Sequence, residues 1–208
     1  MQKVFELDHP LVRHHLTHLR SKETAPHIFR AQIRRLAILL AAEATRDLPL
    51  KPKTIETPLV EMEGAVLDVR IGLVPILRAG LGMTDALLDL LPTAEVWHLG
   101  LTRDEATLQP VEYYHKFSSN PPDLVFVLDP MLATGGSANA GIQRVKDWGA
   151  KEIHMLSIIA APEGIAAVRK QHPDISIYVC GIDEKLNDDA YILPGLGDAG
   201  DRIFNTLG

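Results

Sequence analysis

LVFVLDPMLATGGS, residues 124–137, opens with five consecutive apolar residues and closes in a small-residue turn that contains a glycine pair. The unbroken run Leu124, Val125, Phe126, Val127, Leu128 predicts a strand buried on both faces, as in a parallel sheet. SANAGIQRVKDWGA follows at once and reads as a helix. The same order recurs downstream, with EIHMLSIIAA as strand, GIAAVRKQH as helix and DISIYVCGI as strand. This alternation predicts an α/β fold: a mostly parallel sheet with helices on both faces.

Upstream of that stretch the pattern is less regular. Residues 9–48 read mainly as helix, interrupted near Pro26. In RAQIRRLAILLAAEATRDL the arginines precede the acids, which opposes the helix dipole, so tertiary packing or an intersubunit contact must favour the helix. After a turn-rich LPLKPK come two strand candidates, IETPLVEM and AVLDVRIGLVPIL. Pro58 and Pro75 make any strand that holds them peripheral, irregular or near its end. LGMTDALLDLL is helical and stops at Pro92, and EVWHLGL is strand-like. Residues 102–120 read as an excursion of turns and short antiparallel strands, and 181–208 as a polar, glycine-rich, irregular tail. The expectation is one domain over 1–208.

Composition narrows the function classes. A chain of 208 residues with 46% hydrophobic and 23% charged content can bury an ordinary core. A net charge of -6 argues against non-specific nucleic-acid or anionic-membrane binding, while leaving room for a local basic phosphate site. Cys180 is the single cysteine, so no intrachain disulfide forms, and its apolar strand favours a buried structural thiol over a nucleophile. No apolar run approaches the roughly 20 residues that span a bilayer, and the expected location is cytoplasmic.

In open α/β sheets ligands bind beyond the carboxyl ends of the strands. Four polar or glycine-containing breaks follow strand candidates here: RAG after VPIL, TRDE after WHLGL, DPMLATGGS after LVFVL, and AAPEG after MLSII. In ATGGS, Gly135 and Gly136 permit close approach, and successive N–H groups before a helix can surround phosphate oxygens, with hydroxyls from Thr134 and Ser137. The pattern serves equally as an ordinary strand-to-helix turn capped by Ser137. GxxxxGK[ST] is absent, so this is no P-loop. Asp129 can orient ribose hydroxyls or satisfy donors within the turn, and Pro130 stiffens the chain beside it. Gly195, Gly197 and Gly200 match GxGxxG, but without a βαβ unit around them the dinucleotide reading fails; a glycine-rich tail can still wrap a flat ligand.

VPILRAGLGM at 74–83, DPMLATGGS at 129–137, AAPEGI at 160–165 and YILPGLGDAGDR at 191–202 together closely resemble the uracil phosphoribosyltransferases, within the type I phosphoribosyltransferases. The resemblance covers essentially the whole chain. It implies the type I fold, with a flap excursion and a C-terminal base-binding lobe. It also implies transfer of phosphoribose from 5-phosphoribosyl 1-diphosphate (PRPP) to uracil, giving uridine monophosphate (UMP) and diphosphate in pyrimidine salvage. By that match the PRPP-binding segment comprises Asp129, Pro130, Met131, Leu132, Ala133, Thr134, Gly135, Gly136 and Ser137. Residues 134–137 hold the 5-phosphate, and Asp129 faces the ribose hydroxyls. Arg78, Ala79 and Gly80 receive the diphosphate, and Arg103 adds positive charge from the base of the flap. Ile192, Gly197, Asp198 and Ala199 shape the uracil pocket, with Asp198 also near PRPP. Arg78, Arg103 and Asp129 are the expected catalytic residues.

The resemblance further implies magnesium, a homodimer or higher oligomer and, in some relatives, activation by GTP, which no residue here establishes. Two adjacent acids at the strand end are common in the wider family; this chain has Asp129-Pro130, so magnesium is expected mainly through PRPP and water. Thr102 stands where related flaps carry an aromatic residue, which leaves flap closure open. No side chain presents itself as general base. The runner-up readings are a phosphoribosyltransferase for another base and a nucleotide sensor without turnover. Other eye-catching residues have plainer explanations. His9, His14, His15 and His18 suit a helix face, Tyr113, Tyr114 and His115 a packed hairpin, and Glu163 a helix start.

Overall fold

The computed structural model describes residues 4–103 and 110–206, with the side chains of Arg103 and Pro110 outside the description. The chain begins with β1 (Val4–Glu6), α1 (Pro10–Arg20) and α2 (Pro26–Ala44). His9 caps α1, its Nδ1 accepting the Leu11 N–H at 3.1 Å. Pro10 and Pro26 occupy helix starts, where a missing N–H costs nothing. The mismatched charges of α2 are overridden by packing: Phe29, Ile33, Leu36, Ala37 and Leu40 are all fully buried, the aliphatic and aromatic ones each worth ~1.5–3 kcal/mol.

Next come β2 (Leu50–Glu56) and β3 (Glu61–Leu67), paired antiparallel as a separate two-stranded sheet. The expected boundaries move here. LPLKPK is not all turn, since Leu50 to Lys53 lie in β2, and IETPLVEM is cut by a turn at 57–60. There the Thr57 hydroxyl accepts the Leu59 and Val60 N–H groups and donates to the Val60 carbonyl. AVLDVRIGLVPIL also breaks, between β3 and β4 (Ile71–Leu77), where Asp68 N–H bonds the Pro49 carbonyl and Arg70 N–H the Asp123 carboxylate.

The strand β4 is followed by α3 (Leu81–Leu90), β5 (Glu95–Val96), β6 (Leu99–Arg103) and β7 (Pro110–His115). EVWHLGL is therefore two strands. The cause is visible in β4, which pairs with β5 at Gly72 and Leu73 and with β6 at Ile76 and Leu77. Pro75 falls in the gap, having no N–H to offer. It lies inside the sheet, paired with Leu128 on its other side, so it is not peripheral; it does stand near the strand's end, where the pairing changes partner, as expected.

The remaining elements are β8 (Leu124–Leu128), β9 (Met131–Leu132), α4 (Gly136–Trp148), β10 (Glu152–Ala160), α5 (Pro162–Gln171), β11 (Ser176–Ile182), β12 (Lys185–Leu186), β13 (Ile192–Leu193) and α6 (Ala199–Phe204). The main sheet runs β1-β11-β10-β8-β4-β6-β7, all parallel except the β6–β7 pair. Alternate side chains serve opposite layers. Leu73 and Phe126 pack with α1, α2, α3 and α6, and Val74, Val125 and Val127 pack with α4 and α5. The fold is thus the doubly covered α/β sheet expected from the alternation. The tail is less irregular than expected, because β12 and β13 pair and α6 closes it.

Candidate active site

The 129–137 segment leaves β8 and is sewn to β10. Asp129 donates its N–H to the Leu156 carbonyl at 3.2 Å, and the Pro130 carbonyl accepts from Ile158 and Ile159. The following turn is positioned by two glycines. Gly135, at φ 82°, is the N-cap of α4, and a Cβ on Gly164 would lie 2.3 Å from the Ala133 carbonyl oxygen. Only a bare backbone lets the start of α5 approach the turn so closely. No side chain caps α4, so Ser137 is not the cap; Gly136 N–H makes a long 3.4 Å bond to Thr134 Oγ1. The uncapped start of this 13-residue helix thus borders a recess of about 140 Å³ lined by Asp129, Thr134, Gly135, Gly136 and Ser137, and first-turn N–H groups are the donors a helix leaves without partners of its own. Met131, Leu132 and Ala133 complete its wall.

The second wall follows β4. A Cβ on Gly80 would meet the Leu128 carbonyl oxygen at 2.4 Å, so glycine is required where this turn crosses the end of β8. The preceding Leu77–Arg78 peptide is cis. Arg78 reaches the tail, with Nη2 on Asp201 Oδ1 at 3.0 Å and Nη1 on Thr206 Oγ1 at 3.3 Å.

The tail forms the third wall. Its Leu193–Pro194 bond is cis, and Gly195 and Gly197 have positive φ. Asp198 caps α6 by accepting the Asp201 N–H at 2.9 Å. Asp198 also faces Asp129 and Ala79 across a cavity of about 320 Å³, which Met131, Ala199 and Gly200 help to line. Burial, with the Asp198 charge adding to it and the Met131 N–H bond opposing it, pushes the Asp129 carboxyl up to about 7.

Of the expected residues, then, Ala79, Asp129, Met131, Asp198 and Ala199 share one cavity, contiguous through Asp129 and Met131 with the recess of 132–137. Arg78 sits at its margin, tied to α6. Ile192 is buried, and neither it nor Gly80, Pro130 or Gly197 lines the cavity or the recess. The Arg103 side chain and the flap residues 104–109 lie outside the described residues. Asp189, Ala190 and Tyr191 also line the cavity and were missed by the sequence reading. Their signal was the NDD turn, where Asn187 Oδ1 accepts N–H groups from Asp189 and Tyr191. Larger cavities, about 450 Å³ between α2, α3 and α6 and about 490 Å³ between β1 and α2, include none of residues 129–137 or 189–200 in their walls.

Other candidates resolve into structural roles. Glu163 accepts the Leu186 N–H at 3.1 Å, fastening the tail to α5. Cys180 is buried and its thiol is pushed up by burial. The His14 ring contacts those of His15 and His18, Tyr113 and Tyr114 are exposed, and the His115 ring contacts Arg144 and Glu112. Among the described residues no cluster of three His, Cys, Asp or Glu could hold a metal by itself. The acids facing the cavity fit a magnesium ion that keeps most of its ligands as substrate phosphate oxygens and water.

A sequence profile of the family described as Uracil phosphoribosyltransferase matches residues 6–206. The uracil phosphoribosyltransferase of Roseiflexus castenholzii is 56% identical over 210 residues, which span 99% of this chain and 100% of that protein. The AQ2163 protein from Aquifex aeolicus superposes with a TM-score of 0.92 at 35% identity, over 97% of this chain and 98% of that one. A hypoxanthine phosphoribosyltransferase from Staphylococcus aureus shares the fold alone, with a TM-score of 0.52 at 12% identity over 76% of each chain. Among the described residues no helix is long and apolar enough to cross a membrane. The chain belongs to the uracil phosphoribosyltransferase family.

Proposed function

We propose that this protein transfers the 5-phosphoribosyl group of PRPP to N1 of uracil, releasing UMP and diphosphate, as a cytoplasmic enzyme of pyrimidine salvage. The observation that carries the reading is the junction of a helix-start recess with an acidic cavity closed by the tail, which offers adjoining places for a phosphate, a ribose and a flat base.

The 134–137 turn binds the 5-phosphate through the first-turn N–H groups of α4 and the Thr134 and Ser137 hydroxyls. Asp129 receives the ribose hydroxyls. As the C1–diphosphate bond breaks, negative charge grows on the leaving group, and the Arg78 guanidinium offers it fixed donors. Arg103, at the end of β6, brings further charge with the flap. Asp129 and Asp198 are the residues that would face a magnesium ion bound through PRPP and water, and such an ion would neutralise the same oxygens. Asp198 and Ala199, which line the cavity, and the backbone of Ile192 and Gly197 beside it match the uracil edge and aim N1 at C1, so catalysis rests on positioning and electrostatics. Residues 181–208 act as the base-binding lobe of a single domain. The decisive assay is UMP formation from PRPP and magnesium across uracil, cytosine, orotate and purine bases. Turnover with uracil alone is expected, comparable turnover of cytosine overturns the assignment of the base, and binding without product overturns catalysis.

Assembly as a homodimer or higher oligomer belongs to the same reading. The apolar face of α2 is used inside the chain, whereas the β2–β3 hairpin leaves Leu59 91% and Val60 64% exposed. Sedimentation of Leu59→Glu against the parent protein tests it, with a fall to monomer expected. Activation by GTP rests on the family resemblance, and a GTP titration at subsaturating PRPP tests it.

A further inference from the structure

Asp183 directly follows β11, and its side chain is 3% exposed. Both arms of Arg20, the last residue of α1, grip its carboxylate: Nη1 meets Oδ2 at 2.7 Å and Nη2 meets Oδ1. A buried ion pair offsets its desolvation only when further hydrogen bonds satisfy its remaining donors and acceptors. Here those bonds go to one residue. Gly195 donates its N–H to Asp183 Oδ2 at 2.8 Å, and its carbonyl accepts from Arg20 Nη1 at 2.9 Å. Gly195 itself allows no substitute, because at φ 64° a Cβ would lie 2.0 Å from the Ile192 carbonyl oxygen.

The next residue is held in the same manner from the opposite end of the chain. The Leu196 carbonyl accepts from Arg202 Nη1 at 2.7 Å, and Arg202 also donates to the carbonyls of Leu19, at 2.9 Å, and Ser21, at 2.6 Å. Its guanidinium lies 4.3 Å above the Phe29 ring. Two successive carbonyls of the tail are thus oriented by two arginines, one in α1 and one in α6. Burial of the Leu196 side chain would hold the tail down but leave its peptide planes free to rotate. Directional bonds on adjacent carbonyls fix those planes.

We propose that Arg20, Asp183 and Arg202 are positioning residues for base recognition. By locking residues 195 and 196 they set the angle at which the flanking backbone, Ile192 on one side and 197–199 on the other, meets the pyrimidine edge. The inference rests on the uracil-transfer reading. None of the three residues touches substrate. They act through the loop, so their loss falls on uracil more than on PRPP.

Arg20→Lys and Arg202→Lys each keep the charge and lose the fork that reaches two acceptors. The test measures KM for uracil and for PRPP, the ratio of kcat/KM for uracil over cytosine, and the melting temperature of each full-length variant. The expected result is a KM for uracil raised about tenfold, as for loss of a charged hydrogen bond. PRPP's KM stays within about twofold, and the preference for uracil over cytosine falls. A folded variant with an unchanged KM for uracil, or with both KM values raised alike, overturns the proposal. If Arg20→Lys does not fold, Arg202→Lys, which leaves the Arg20–Asp183 pair intact, decides alone; failure of both to fold overturns a positioning role in favour of a structural one. A parent protein that makes no UMP removes the functional reading and this inference with it, whereas an active parent with unaffected variants removes only the inference.

Discussion

The donor side and the base side of the cavity are built by different means. On the donor side, strand, turn and helix follow one another in sequence, and the recess is lined by Asp129 and the unbroken run 131–138. Its geometry comes from sheet pairing that sews 129–132 to β10 and from glycines that let backbones touch. The base side has only the short β12–β13 pair and α6 as regular structure, none of it part of the main sheet. It is held by long-range side-chain bonds, Arg20 to Asp183 and Gly195, Arg202 to Leu19 and Leu196, and Glu163 to Leu186. A site that must bind phosphoribosyl diphosphate tightly and choose one base gains from this division, because the loop can be tuned without disturbing the sheet.

Arg78 joins the two sides, leaving β4 and bonding Asp201 and Thr206 in the tail. Arg78→Gln is therefore expected to show the largest effect and to blur the division. Loss of one electrostatic donor costs ~2–4 kcal/mol, a fall of about 30- to 1000-fold in kcat/KM. Steady-state kinetics should find both substrates affected; an effect confined to one of them would detach Arg78 from the other side.

Gly195→Ala should break only the base side. Backbone strain of about 3 kcal/mol corresponds to roughly a 100-fold loss in kcat/KM for uracil, with PRPP binding by calorimetry nearly unchanged. Weakened PRPP binding of similar size would show that the two sides are not separable.

Asp129 sharpens the donor side through pH. Its carboxyl stands at about 7 in the folded protein against an ordinary value of 3.8. The folded state thus holds a proton that the unfolded chain has released. The stability this contributes is full below about 4 and is lost as pH rises through 7. Thermal melting between pH 4 and 8 should fall more steeply for the parent than for Asp129→Asn. In kinetics, Asp129→Asn should lower kcat/KM for PRPP about tenfold, the scale of one charged hydrogen bond. It should also remove an inflection near pH 7. A parent profile that is flat through 7 would place the titration elsewhere.

Ser137→Ala is the smallest test. Removing one hydroxyl from a recess dominated by backbone donors costs ~1 kcal/mol, about fivefold in PRPP affinity by titration. A much larger loss would mean that the hydroxyl, and not the helix start, holds the phosphate.

What was legible in the sequence follows the same line. Apolar runs and helical periodicity predicted β8, α4, β10, α5 and β11 because local pattern and final burial agree there. The strand breaks at 68–70 and at Trp97 were invisible to periodicity. They arise from a carboxylate on a distant turn and from a proline whose neighbour is supplied by another strand. The capping of α4 stayed open for a related reason: Ser137 suits a cap by residue type, but Gly135 occupies that place.

The sequence by itself determined the class of fold, the strand-end breaks after Leu77, Leu128 and Ala160 and the family, since each depends on residues close together in the chain or on the order of motifs. The break expected at Thr102 does not fall there, because β6 runs on to Arg103. Only the tertiary structure decided that Asp129 and Asp198 share a cavity, that Asp189, Ala190 and Tyr191 line it, and that two arginines orient 195 and 196. Those facts depend on groups up to 183 positions apart. Their hydrogen bonds exist only once the sheet has brought α1 and the tail together, and no local pattern of residue types encodes such a meeting.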